Sequence, residues 1–172
     1  MSSAITIKTK PTIRRTSISF NRLTSIEIPS VFSIEEQNSD YPWSQIQFTT
    51  SIENSNNLCY SLSLNGKTIG YLIAMLAGDT ADILNIGIDT DFKRQGYGTA
   101  LLNHLIKELR KRKICEILLE VRAENKSAIQ FYKRQGFEKI SVRKNYYMKN
   151  SKNQTKREDG IIMSIKIPSK EN

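Results

Sequence analysis

Apolar residues in this chain recur at two spacings, every second position and every third or fourth. Ser17 to Leu23 alternates and predicts a half-buried strand. Thr24 with Glu27, and Ser44 with Gln47, each place a hydroxyl three residues ahead of a side chain able to reach back to it. These capping boxes open one helix running to about Gln37 and a second, shorter one. Leu58 to Leu64 and Thr68 to Met75 flank Asn65 and Gly66, which tolerate the positive φ of a tight hairpin. Ile83 to Ile88 predicts the next strand. From Gly98 to about Arg112, Leu101, Leu102, Leu105, Ile106 and Leu109 share one helical face, while Lys107, Glu108, Arg110 and Lys111 face water. Ile117 to Val121 predicts a buried strand, and Asn125 caps a helix ending near Gly136. Phe137 to Val142 and Ile161 to Ile167 then close the order as two strands separated by a polar loop. The succession predicts an α/β domain over residues 17–167, a mixed central sheet with flanking helices. A flexible basic extension (1–16) precedes it and a short tail (168–172) follows.

Composition sets the surroundings. At 172 residues and 38% hydrophobic, the chain suits one domain with a full core. Every apolar run falls well short of the roughly 18 residues of a membrane span, and the N-terminus lacks a secretory pattern, so a cytoplasmic location is expected. Cys59 and Cys115 lie far apart within apolar segments and are expected as buried reduced thiols. With a single histidine in the chain, no metal site is expected. The net charge of +9 is concentrated at the N-terminus, after the glycine pair at 96 and 98, at residues 110–113 and at residues 143–157. Such clusters either keep the surface soluble or attract a phosphorylated cofactor or ribonucleoprotein. No aromatic-interleaved nucleic-acid motif accompanies them.

The segment from Asp89 to Leu102 carries the strongest chemical signal. It joins a predicted strand to a predicted helix through Arg94, Gln95, Gly96, Tyr97, Gly98 and Thr99. Gly96 and Gly98 remove Cβ atoms where the chain turns, and a new helix points unpaired N–H groups and its positive dipole end outward. That arrangement cradles an anion, although two glycines before a helix also serve as a plain turn. A dinucleotide fold would add a third glycine and a later acidic residue, and neither is convincing here. Asn65 to Thr68 lacks the upstream glycine of a phosphate loop and reads as the hairpin turn.

Taken with Leu119 to Asn125, Ala128 to Tyr132, Gln135 to Phe137 and Arg143 to Tyr147, the glycine turn resembles the GNAT acetyltransferases. Tyr41 to Ser44 and Arg157 to Met163 further resemble the RimI-type branch, the ribosomal-protein alanine N-acetyltransferases. The resemblance spans roughly residues 17–167. One position departs, since Lys93 stands where the family usually carries Gln or Arg. Lysine keeps the charge and loses only the planar fork. The resemblance implies acetyl-CoA as co-substrate, with Ile86, Gly87 and Ile88 along the pantetheine and thioester and Arg94 to Thr99 on the pyrophosphate. It adds Asn125 as a coenzyme A contact, a residue that as a plain helix cap needs no ligand.

Acetyl transfer to an amine needs a neutral nucleophile, a polarised carbonyl and a proton donor for the thiolate. The resemblance assigns the base to Glu120, working through a water, and its apolar strand is expected to desolvate the carboxylate. The acid is assigned to Tyr132, a phenol near 10 facing a thiol near 8.5. The Ile88 backbone N–H is expected to polarise the thioester oxygen. Tyr41, Pro42, Trp43, Tyr146 and Tyr147 are implied at the peptide entrance, although core aromatics would explain them equally. His104 lies within the long helix and reads as structural. The resemblance implies a protein N-terminus as partner, that of a ribosomal protein, and for an α-amine near pKa 8, already partly neutral, a modest base suffices. Lysine side chains, polyamines and a non-catalytic ribosome-binding or acyl-CoA-binding module stand as alternatives.

Overall fold

The computed structural model describes residues 17–151 and 154–168. The basic extension, the last four residues, and Lys152 and Asn153 lie outside the described residues. Strand β1 (Ile18–Arg22) leads through a short turn of tight helix into α1 (Ile28–Asn38), followed by α2 (Gln45–Glu53). Both capping boxes form: the Thr24 N–H donates to Glu27 at 3.1 Å, and the Ser44 N–H donates to Gln47 at 2.9 Å. Strands β2 (Asn57–Leu64), β3 (Lys67–Ala77) and β4 (Thr80–Ile88) run as an antiparallel meander whose first turn holds Asn65 and Gly66 at φ of 50° and 85°.

Helix α3 (Tyr97–Lys111) then crosses to β5 (Glu116–Arg122), and α4 (Lys126–Arg134) to β6 (Glu138–Ser151) and β7 (Gln154–Lys166). The sheet order is β1-β2-β3-β4-β5-β7-β6, with β4 and β5 parallel and every other pair antiparallel. Among the described residues, no helix is long and apolar enough to cross a membrane.

Because side chains alternate across a strand, the central strands feed two cores. Leu72 and Ala74 of β3 join Leu101, Leu102, Leu105 and Leu109 of α3 on one face. Tyr71 and Ile73 join Val31, Ile34 and Phe48 of α1 and α2 on the other. The α3 stripe is the one its periodicity predicts, with Ile106 at the margin.

Two expectations need correction. The polar loop between the closing strands is instead the outer part of a long hairpin, where Tyr147 pairs with Glu158 and Met148 with Arg157. Most residues from 143 to 148 are solvent-exposed, so the ladder forms through main-chain bonds without the alternation that marks a buried strand. Cys59 is buried as expected, but Cys115 is exposed. It sits just ahead of β5, where its thiol donates to the Asp79 carbonyl at 3.3 Å.

Candidate active site

The site begins where two parallel strands part. β4 and β5 pair only from Thr80 with Glu116 to Ile83 with Leu119. Beyond that point the strands diverge and open a cleft of about 1180 Å³. The Asp89 N–H donates to the Ile69 carbonyl at 2.8 Å, which fixes the phase of the β3 ladder. Ile86 and Ile88 therefore turn their backbone groups away from β3, toward the side that β5 has left. The Ile88 carbonyl accepts from the Asn38 side chain at 3.0 Å.

One mouth of the cleft is built by the N-termini of α3 and α4. Arg94 and Gly96 both take positive φ, 58° and 89°, so the loop curls before the helix starts. A Cβ on Gly96 would meet nothing within 4 Å, so its glycine answers to φ alone. A Cβ on Gly98 would lie 3.4 Å from the Phe131 ring. Thr99 and Asn125 line the same mouth, with Lys93, Arg94 and Arg134 adding positive charge. The Asn125 side-chain Oδ1 accepts the Ala128 N–H at 3.0 Å, so the residue does cap α4.

The other mouth opens on the α1 and α2 face, where Tyr41, Trp43 and Tyr147 stand. Glu120 projects here, because Ile117, Leu119 and Val121 take the alternate positions facing α3. Its expected desolvation is not what the fold provides. The side chain keeps 22% exposure, and Arg143 donates to it at 2.9 Å. Tyr147 stands beside it, and burial followed by this carboxylate raises the Tyr147 phenol above its ordinary range. Tyr132 approaches from α4, on the opposite face of the sheet, with 6% exposure. Burial pushes its phenol up, away from the thiol range rather than toward it, so it holds its proton firmly at neutral pH.

Some predicted residues stand elsewhere. Gln95 donates to the Asp91 carbonyl at 3.0 Å, and the Tyr97 ring packs on Phe92. Neither these two nor Pro42 and Tyr146 line the cleft. Tyr146 instead lies under the Arg143 guanidinium, 4.4 Å from ring centroid to carbon. His104 stacks on Phe20 at 4.6 Å and has the structural place expected of it.

Sequence reasoning missed a buried polar group at the cleft floor. The Tyr71 hydroxyl donates to Glu35 at 2.5 Å, and Glu35 also accepts the Trp43 N–H at 3.0 Å. Gly87 makes room for that ring, since a Cβ there would fall 2.5 Å from Tyr71. A signal was present: Glu35 and Asn38 continue the stripe of Ile28, Val31 and Ile34, so polar groups interrupt an apolar helix face. Among the described residues, no group of three His, Cys, Asp or Glu side chains could hold a metal ion.

The family model for the acetyltransferase (GNAT) family matches residues 25–137. The [ribosomal protein bS18]-alanine N-acetyltransferase of Escherichia coli (strain K12) is 39% identical over 150 residues, which cover 86% of this chain and 98% of that protein. The crystal structure of the ribosomal-protein-S18-alanine N-acetyltransferase from Escherichia coli superposes with a TM-score of 0.80 at 36% identity, covering 91% of this chain and 97% of that one. Arabidopsis thaliana Naa50, in complex with the bisubstrate analogue CoA-Ac-MVNAL, shares the fold at 22% identity and a TM-score of 0.72, covering 87% of this chain and 98% of its own. With the family's fold, its glycine turn and a relative matched over nearly its whole length, this chain belongs to the acetyltransferase (GNAT) family.

Proposed function

We propose that this acetyltransferase modifies the α-amine of a protein N-terminus, the N-terminal alanine of small-subunit ribosomal protein eighteen. The parting of β4 from β5 carries the reading. It joins a mouth suited to phosphates with a mouth that carries Glu120, so donor and acceptor meet through the sheet from opposite faces. The substrate assignment rests on the likeness to the E. coli enzyme.

Acetyl-CoA fits this cleft on three counts. The backbone groups of Ile86 and the N–H of Ile88, turned away from β3, suit an amide-bearing arm, as an added strand would. The curled loop at Arg94 and Gly96 aims N–H groups at a pyrophosphate. Lys93, Arg94 and Arg134 supply the charge. When bound, acetyl-CoA supplies an activated carbonyl on a thiolate leaving group. Glu120 takes, through a water, the proton that the acceptor amine loses as its nitrogen bonds to the carbonyl carbon. The Ile88 N–H orients the carbonyl oxygen. Tyr132 gives its phenolic proton to the sulfur as the carbon–sulfur bond breaks, so one proton leaves nitrogen and one reaches sulfur. A buried phenol is a poor acid at rest, and this keeps it protonated until the thiolate appears beside it.

The test is mass spectrometry of an acetyl-CoA reaction with three competing acceptors: an alanine-starting ribosomal peptide, an N-terminally blocked lysine peptide and a polyamine. Acetylation is expected on the peptide α-amine. Preference for lysine or polyamine would keep the cofactor site and overturn the substrate.

A further inference from the structure

Arg122, the last residue of β5, lies two positions beyond Glu120 and so on the same side of the sheet. Its guanidinium carbon stands 4.0 Å from the Tyr41 ring centroid and 4.2 Å from that of Tyr147. The plane is thus held between two rings from different segments. Its edge donates to Glu158 at 3.3 Å, and that carboxylate, only 6% exposed, accepts the Glu124 N–H at 2.6 Å with its other oxygen. Glu158 pairs with Tyr147 across the β6–β7 ladder, so the same strand pair fixes both partners of the arginine.

The second ring leads to the base. Tyr147 stands beside Glu120: a Cβ on Gly160 would lie 3.1 Å from the Glu120 carboxyl and 3.3 Å from a Tyr147 ring carbon, so the two side chains close on one space that the glycine keeps open. We propose that Arg122 is a positioning residue for acetyl transfer, linking the acceptor wall at Tyr41 to the carboxylate of Glu120 through the Tyr147 ring. This rests on the role given above to Glu120. Arginine suits the place because its plane stacks on both faces while its edge still reaches a carboxylate. Lysine can pair with Glu158 but cannot stack.

The coupling predicts a pattern that a merely structural residue would not give. Arg122→Lys keeps the charge beside buried Glu158, so the fold should survive, checked by an unchanged thermal midpoint. With whichever amine the wild type acetylates, kcat should fall about tenfold and the acceptor KM should rise, while the KM for acetyl-CoA stays within about twofold. Tyr147→Phe removes the hydroxyl of the ring beside Glu120. In that background Arg122→Lys should lower kcat by much less than its single-variant effect, since both act along one path. Additive losses, or equal losses in both KM values, would overturn the proposal. If Arg122→Lys unfolds, Tyr41→Leu removes one stacking ring without touching the ion pair, and the same non-additivity with Tyr147→Phe is required. A wild type inactive on every α-amine overturns the substrate reading, whereas an active wild type with indifferent Arg122 variants overturns this inference alone.

Discussion

Gly160→Ala tests whether the placing of Glu120, rather than its mere presence, sets the rate. Gly160 is not among the positive-φ glycines, so alanine fits its backbone. A Cβ there would lie 3.1 Å from both the Cδ and the Oε1 of Glu120 and 3.3 Å from a Tyr147 ring carbon. Those separations are a few tenths of an ångström too tight, and the carboxylate is the more movable neighbour. Overpacking of this kind costs ~1–3 kcal/mol. The smaller freedom of alanine in the unfolded chain returns ~0.4–1 kcal/mol. A net loss of about 1 kcal/mol lowers the melting temperature by roughly 2–4 °C for a chain of this size. Displacement matters more for the chemistry: a misplacement of about 1 Å costs on the order of a hundredfold, so a few tenths should lower kcat by about tenfold. Steady-state kinetics beside calorimetry separate the two, with the acetyl-CoA KM expected to hold. Gly66→Ala is the control. It has φ of 85° and nothing within 4 Å, so it should lose stability while turnover per folded molecule stays unchanged. Wild-type kcat in folded Gly160→Ala would refute the argument.

Other expectations follow from single contacts. Tyr71→Phe removes the hydroxyl that bonds Glu35 and Asn85, and leaving a buried polar group without its partner costs ~1–3 kcal/mol. Chemical denaturation should show that loss, and an undiminished midpoint would mean the carboxylate finds another donor. His104 is held below its ordinary value mainly by burial between Phe20 and Tyr60, with Glu108 pulling it back up. The unfolded chain then takes the proton first, so stability should fall as pH drops below about 6.5 and level off once the folded imidazole titrates. With one histidine in the chain, a single imidazole NMR signal reads the folded value, and a midpoint above 6.5 would contradict the packing. Cys115 is exposed, whereas burial pushes the Cys59 thiol up to about 11. A thiol reagent should therefore label one cysteine quickly and the second only on unfolding, and rapid labelling of both would place Cys59 nearer the surface.

What the sequence by itself determined is what neighbouring residues settle among themselves. Both capping boxes, the Asn65 and Gly66 turn, the apolar stripe of α3 and the curl before it depend on spacings of a few residues, and all were legible. The resemblance added the family and named part of the cleft lining. Tertiary structure decided the rest, because it concerns which distant segments meet. No local pattern tells that β7 inserts between β5 and β6, that β4 and β5 part after Ile83 and Leu119, or that Arg143 and Tyr147 close on Glu120. Hydrophobic alternation reports burial, so it failed where strands pair in solvent, at the outer β6–β7 hairpin, and where an apolar neighbourhood in sequence was taken for one in space, at Cys115 and Glu120. Glu120 shows the division most plainly: Leu119 and Val121 surround it along the chain, but the two-residue period turns them to the opposite side of the sheet.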